Sequence, residues 1–146
     1  VTEGSGLLRA ADVGTAVFVV AAVASAVARR AFSTVAVVVS LGLFTVGCIA
    51  FLAAYAVAVG RSRTDAIGIG GLFFLQGSAP TPVRRRLLGA LLVQVVVAVG
   101  TAVAHPFTSQ AFVILGPMFG MGVAGLWGAR HGRFEPRSGG TVPRES

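Results

Sequence analysis

Arg84-Arg85-Arg86 stands directly before Leu87-Leu88-Gly89-Ala90-Leu91-Leu92-Val93-Gln94-Val95-Val96-Val97-Ala98-Val99-Gly100-Thr101-Ala102-Val103-Ala104, a run without a charge. Three consecutive guanidiniums are too costly to place in hydrocarbon. The uncharged run, as a helix, rises about 27 Å, close to the roughly 30 Å of a bilayer core. A membrane-crossing helix therefore starts at 87, and the arginines mark the side on which it starts.

Composition agrees with that solvent. The chain has 146 residues, of which 55% are hydrophobic and 12% charged. Soluble domains carry roughly 25% charged residues. A net charge of +7 would suggest nucleic acid in a soluble protein. Here the basic groups lie between apolar runs and act as topology signals, so nucleic acid is not expected as a partner. A single cysteine, Cys48, excludes an intrachain disulfide. Every basic residue other than histidine is arginine, and Ala, Val and Gly abound, which suggests a GC-rich bacterial genome. Val1 reads as a GTG start written literally, which would make the chain full length.

Outward from the arginines, four crossings are expected, at 11–28, 34–59, 87–104 and 110–128. Residues 1–10 would be a cytoplasmic N-terminus, and 129–146, rich in Arg, Gly, Pro and Ser, a disordered cytoplasmic tail. Ala24-Ser25-Ala26 also fits a signal-peptidase site, so cleavage of the first run is the competing reading. The connection 60–86 contains an apolar, glycine-rich stretch, 66–75, too short to span as a helix. It would lie at the interface or pack under the bundle. Its Gly68-Ile69-Gly70-Gly71 lacks the lysine and the strand–helix context of a phosphate loop.

With four crossings, Arg9, Arg61, Arg63, Arg84, Arg85, Arg86, Arg130, Arg133, Arg137 and Arg144 share one side, against Arg29 and Arg30 on the other. Arginine excess marks the cytoplasm. The expected fold is thus an all-α four-helix membrane bundle of two hairpins, both termini cytoplasmic, in a bacterial inner membrane. Arg61, Arg63, Arg84, Arg85 and Arg86 would form a basic surface toward anionic lipid headgroups or an acidic partner.

Gly116, Gly120, Ala124 and Gly128 recur at every fourth residue. Such a ridge lets another backbone approach closely, either in a second copy or in the same chain. Pro117 lies inside it and should kink the helix. A shift of 75 residues superposes Arg9 on Arg84, Gly14 on Gly89, Phe32-Ser33-Thr34 on Phe107-Thr108-Ser109 and Gly47 on Gly122, a weak parallel duplication.

Polar groups inside the crossings are few. Gln94 is either a mid-membrane contact for a substrate or partner, or an interhelical hydrogen bond. Asp12 would be a charge at a helix start, with proton coupling as the sharper alternative. Small proton-coupled multidrug transporters also have four helices and one membrane acid, but theirs lies deeper. His105 lacks companions for a metal site. Cys48 suits packing. No base accompanies the scattered hydroxyls, so nucleophilic catalysis is not expected.

The run 51–75, with Tyr55-Ala-Val-Ala-Val-Gly60-Arg61-Ser-Arg63-Thr-Asp65-Ala-Ile-Gly68-Ile-Gly-Gly-Leu72-Phe-Phe-Leu75, and the later Gly125-Leu-Trp127-Gly-Ala-Arg130, resemble a group of small actinobacterial multi-pass membrane proteins. That resemblance covers most of 35–133. It implies a fold and a source, and no activity. The expectation is a non-enzymatic membrane protein without cofactor or metal, an accessory or scaffold subunit packing with itself or another membrane protein. The alternative is a small oligomeric transporter or channel using Gln94 and the Pro117 kink.

Overall fold

The computed structural model describes residues 4–138. Residues 1–3 and 139–146, the outer parts of the expected cytoplasmic terminus and disordered tail, lie outside the described residues. The elements in order are α1 (Ser5–Val27), α2 (Arg29–Arg61), the single-turn α3 (Ile69–Phe73), α4 (Thr81–Ala104), a 3-10 segment (Ser109–Leu115) and α5 (Pro117–His131). Four helical spans are long and apolar enough to cross a membrane, the last formed by the 3-10 segment and α5 together.

On α1 and α2 most inward positions are small and the outward ones are rich in valine. α1 turns Leu8, Ala11, Gly14, Phe18, Ala22 and Ser25 inward at helical spacing. Its Val13, Val17, Val20 and Val23 face out. α2 does the same, with Ala36, Ser40, Gly47, Ala50, Ala54 and Ala58 inside and Val38, Val46, Ile49 and Leu52 outside. On α4 only Leu87, Gln94, Ala98 and Thr101 are buried. Water would penalise so much exposed aliphatic surface. In lipid, small residues bring backbones together and large ones meet the acyl chains.

The pairing is not a simple meander. α2 packs chiefly on α5, and α1 lies between α2 and α4. Along α2 and α5 the contacts advance in the same sense. The backbone of Gly47 meets that of Met118 and Phe119, Ala54 meets Gly125, and Arg61 reaches Ala129. These two helices are parallel neighbours. α1 and α4 are also parallel, since Asp12 meets Arg86 and Thr15 meets Gln94. Gly47 and Gly122, the glycines 75 residues apart, face each other at the α2–α5 crossing.

Five boundaries differ from the sequence expectation. α1 starts at Ser5 because Leu7 and Leu8 pack beside Trp127 and extend the helix below the apolar run. Asp12 is consequently two turns inside the helix and cannot act on its dipole end. α1 and α2 are separated by Ala28 alone, so Arg29 and Arg30 are helical rather than a loop. α4 starts at Thr81, with Pro82 in its first turn, where the missing N–H costs nothing, and so takes in all three arginines.

The fourth boundary is Pro117. It does not kink a continuous helix. The chain runs as 3-10 helix to Leu115, and Pro117 opens α5 as its first residue. Proline disfavours α geometry before it and suits a first helical position after it. At the other end, the expected tail starts too early. Residues 129–131 belong to α5, and residues 133–137 form a bonded strap over the 61–78 connection. Ala66 N–H donates to Glu135 O, Arg133 N–H to Ser78 O and Arg137 N–H to Thr64 O, at 2.8 Å each.

Candidate functional site

Three polar constellations and the apolar groove between α2 and α3 could carry function. The first is Gln94, fully buried on α4. Its Nε2 donates to Thr15 Oγ1 of α1 at 2.7 Å, and its Oε1 accepts from the Gly120 N–H of α5 at 3.1 Å. Gly120 is the fourth residue of α5; the Gly116 carbonyl one turn before it accepts from the Phe119 N–H, and the Gly120 N–H goes to Gln94. Pro117 creates that helix start within the apolar span, and Gln94 caps it from the neighbouring helix. The two residues that stand out in the sequence are thus parts of one device. A Cβ on Gly120 would sit 2.8 Å from Gln94 Oε1, so only glycine admits the amide.

Gln94→Leu should strand the Gly120 N–H and the Thr15 hydroxyl, costing about 2 kcal/mol. Thermal unfolding in detergent reads that loss.

The glycine ridge is spent within the chain. Gly116 lies under the Phe18 ring, Gly120 against Gln94 and Leu91, and Gly128 against the Leu72 carbonyl and Leu75. Ala124 is fully buried in the cluster around Trp127, Phe119 and Leu87. Trp127 is buried, beside Gly4 and with its ring 5.6 Å from that of His131.

The second constellation closes the end of the bundle where Gly4 meets His131. Arg61 Nε donates to Asp65 Oδ2 at 3.0 Å, its Nη1 to Ala129 O at 2.8 Å and its Nη2 to Gly132 O at 3.1 Å. The Arg61 guanidinium also lies over the Phe134 ring, 5.3 Å from its centre. A cation on the last carbonyls of α5 is favoured by the helix dipole. Of the expected basic surface, Arg61 is therefore occupied as a clamp.

The third constellation ties α1 to α4. Arg86 Nε donates to Asp12 Oδ2 at 3.0 Å, and Arg86 Nη2 meets the same oxygen. Arg84 Nε donates to Phe74 O at 3.2 Å, while Arg63 and Arg85 are exposed. Asp12→Arg should lower the unfolding temperature by opposing two like charges. Adding Arg86→Asp should restore it, and a double variant no better than the single would show that the pair does not hold the helices.

The apolar groove, about 490 Å³, lies between the C-terminal half of α2 and the α3 segment. Phe51, Tyr55 and Val59 form one wall, Ile69 and Phe73 the other, and Met121 the floor. The Phe51 and Phe73 rings stack with centres 4.6 Å apart. Leu72, Phe73 and Leu75 are buried, which fastens the 66–75 stretch to α5 and leaves Ile69 and Phe74 exposed.

Cys48 is partly buried and unpaired, and His105 sits in the turn after α4. No group of three His, Cys, Asp or Glu side chains is gathered among the described residues. Thr15, the strap residue Phe134 and the groove did not stand out in the sequence. Thr15 reads there as one hydroxyl in an apolar run, and only the α1–α4 register gives it Gln94. No known protein family, curated protein or solved structure matches the chain.

Proposed function

We propose that this chain is a non-enzymatic multi-pass protein of a bacterial inner membrane, of actinobacterial type, serving as an accessory or scaffold subunit. Both termini are cytoplasmic and the turns at 28 and 105–108 face outward. The observation that carries this reading is the distribution of side chains on the helices. Valine dominates the large outward positions of α1, α2 and α4, while the inward positions of α1 and α2 are mostly glycine, alanine and serine. The end holding Arg9, Arg61, Arg63, Arg84–Arg86, Arg130, Arg133 and Arg137 carries the positive charge that marks a cytoplasmic side.

The outward faces of α1, α2 and α4 are what remains for lipid or for a partner, whether a second copy or another membrane protein. The ridge of Gly116, Gly120, Ala124 and Gly128 does not serve, because it is covered from within. This reading has more support than a transporter built on Gln94 and Pro117. The Gln94 amide is bound on both sides, and Pro117 begins a helix instead of bending one.

Alkaline carbonate should leave the protein in the membrane, and a reporter fused after Ser146 should be active only in the cytoplasm. A photocrosslinking residue at Val96 or Ile49, both outward, should give a discrete protein adduct. Adducts to lipid alone at both positions would remove the subunit role and leave the membrane reading standing.

A further inference from the structure

The geometry points to the α2–α3 groove as a seat for one acyl chain of an anionic phospholipid, with its phosphate on Arg63 and Arg84. This rests on the proposed membrane reading. The groove follows α2 from Ser62 to Phe51, a rise of about 17 Å by helix geometry, and one leaflet of hydrocarbon is about 15 Å deep. It therefore runs inward from the charged end over the depth that a lipid chain occupies. Its volume of about 490 Å³ lies within the usual range for small-molecule sites.

The rim supplies the charge. Arg63 follows Ser62, which lines the groove just after α2, and Arg84 reaches the carbonyl of Phe74, another lining residue. Both arginines are exposed, and neither has a carboxylate partner among the described residues. Asp65, the nearest acid in the chain to Arg63, is taken by Arg61. Arg84 commits its Nε to Phe74 O, which fixes the guanidinium at the rim and leaves its terminal nitrogens for a phosphate.

The α2–α3 segment is built to hold this shape. The turn after α3 places Leu75 in the left-handed region, φ 54°, with its side chain fully buried, and Ser78 Oγ donates to Gly71 O. The groove is thereby a preformed wall and not a gap between loose loops.

The test uses the full chain in nanodiscs of phosphatidylcholine with a minority of phosphatidylglycerol. Lipid retained after transfer to mild detergent is weighed by native mass spectrometry. One phosphatidylglycerol should be retained in preference to phosphatidylcholine by about tenfold or more, as expected for two basic contacts. In Arg63→Gln/Arg84→Gln the preference should fall to near unity with helix content unchanged. In Val59→Trp, where the indole fills the groove mouth, retention should fall for both lipids. Equal retention of the two lipids by the unmodified chain overturns the proposal, as does an unchanged preference in the arginine double variant. A chain that enters no nanodisc defeats the membrane reading itself.

Discussion

Gly47→Ala should unfold the bundle. A methyl group there would stand 2.6 Å from the backbone carbon and oxygen of Met118 and the nitrogen of Phe119. These are main-chain atoms of α5, so no side chain can rotate away. The two helices must separate along their longest contact, and a cost of about 3 kcal/mol or more is expected. Gly122→Ala, whose methyl would press on the Gly47 carbonyl, should behave alike. Gly42 supplies the contrast, because nothing lies within 4 Å of its would-be Cβ. Gly42→Ala should be neutral or stabilise by up to about 1 kcal/mol, since glycine is the poorer helix former. Thermal unfolding of the three variants in one detergent checks the set. Equal midpoints for Gly47→Ala and Gly42→Ala would mean that the α2–α5 crossing is looser than described.

Arg61→Gln should release the strap. The substitution removes the ion pair to Asp65, the bonds to the carbonyls of Ala129 and Gly132, and the stacking on Phe134. The side chain is about one-third exposed, 32%, so the loss should be moderate, about 1–2 kcal/mol. The local effect should be larger than the global one. Once its clamp is gone, the segment after His131 should be cut by trypsin at Arg133 and Arg137 much faster than in the parent. Arg61→Lys should rescue poorly, since an ammonium cannot reach three acceptors with a planar fork. Identical cleavage rates in parent and Arg61→Gln would show that the backbone bonds of the strap hold it alone.

The four apolar spans could be read from hydropathy, because exclusion of charge from hydrocarbon acts on composition and needs no tertiary knowledge. What composition leaves open is which face of a span meets which neighbour. The ridge on 116–128 was visible as spacing, yet its partners are Phe18, Gln94 and Leu72, on three other elements. Gln94 stood out as a lone amide, but its role depends on Pro117 starting a helix at the level of Gly120, a fact of register. Asp12 was legible as an acid near a helix end. Its pairing with Arg86 became visible only when α1 proved to start earlier and α4 to include the arginines. The strap escaped for a different reason. Arg133, Phe134, Glu135 and Pro136 look like solvated tail, and their order comes from Arg61, roughly seventy residues earlier, through contacts that no local pattern encodes.

Because α2 rests mainly on α5, the ribosome must finish nearly the whole chain before the second helix has its partner. Until then the row Gly47, Ala50, Ala54 and Ala58 lacks the α5 backbone that it closes on. A polypeptide halted after Ala104 would hold three long helices without the element that joins them. Such truncations should be short-lived in the cell. Translation of the final helix is the step that commits this protein to its shape.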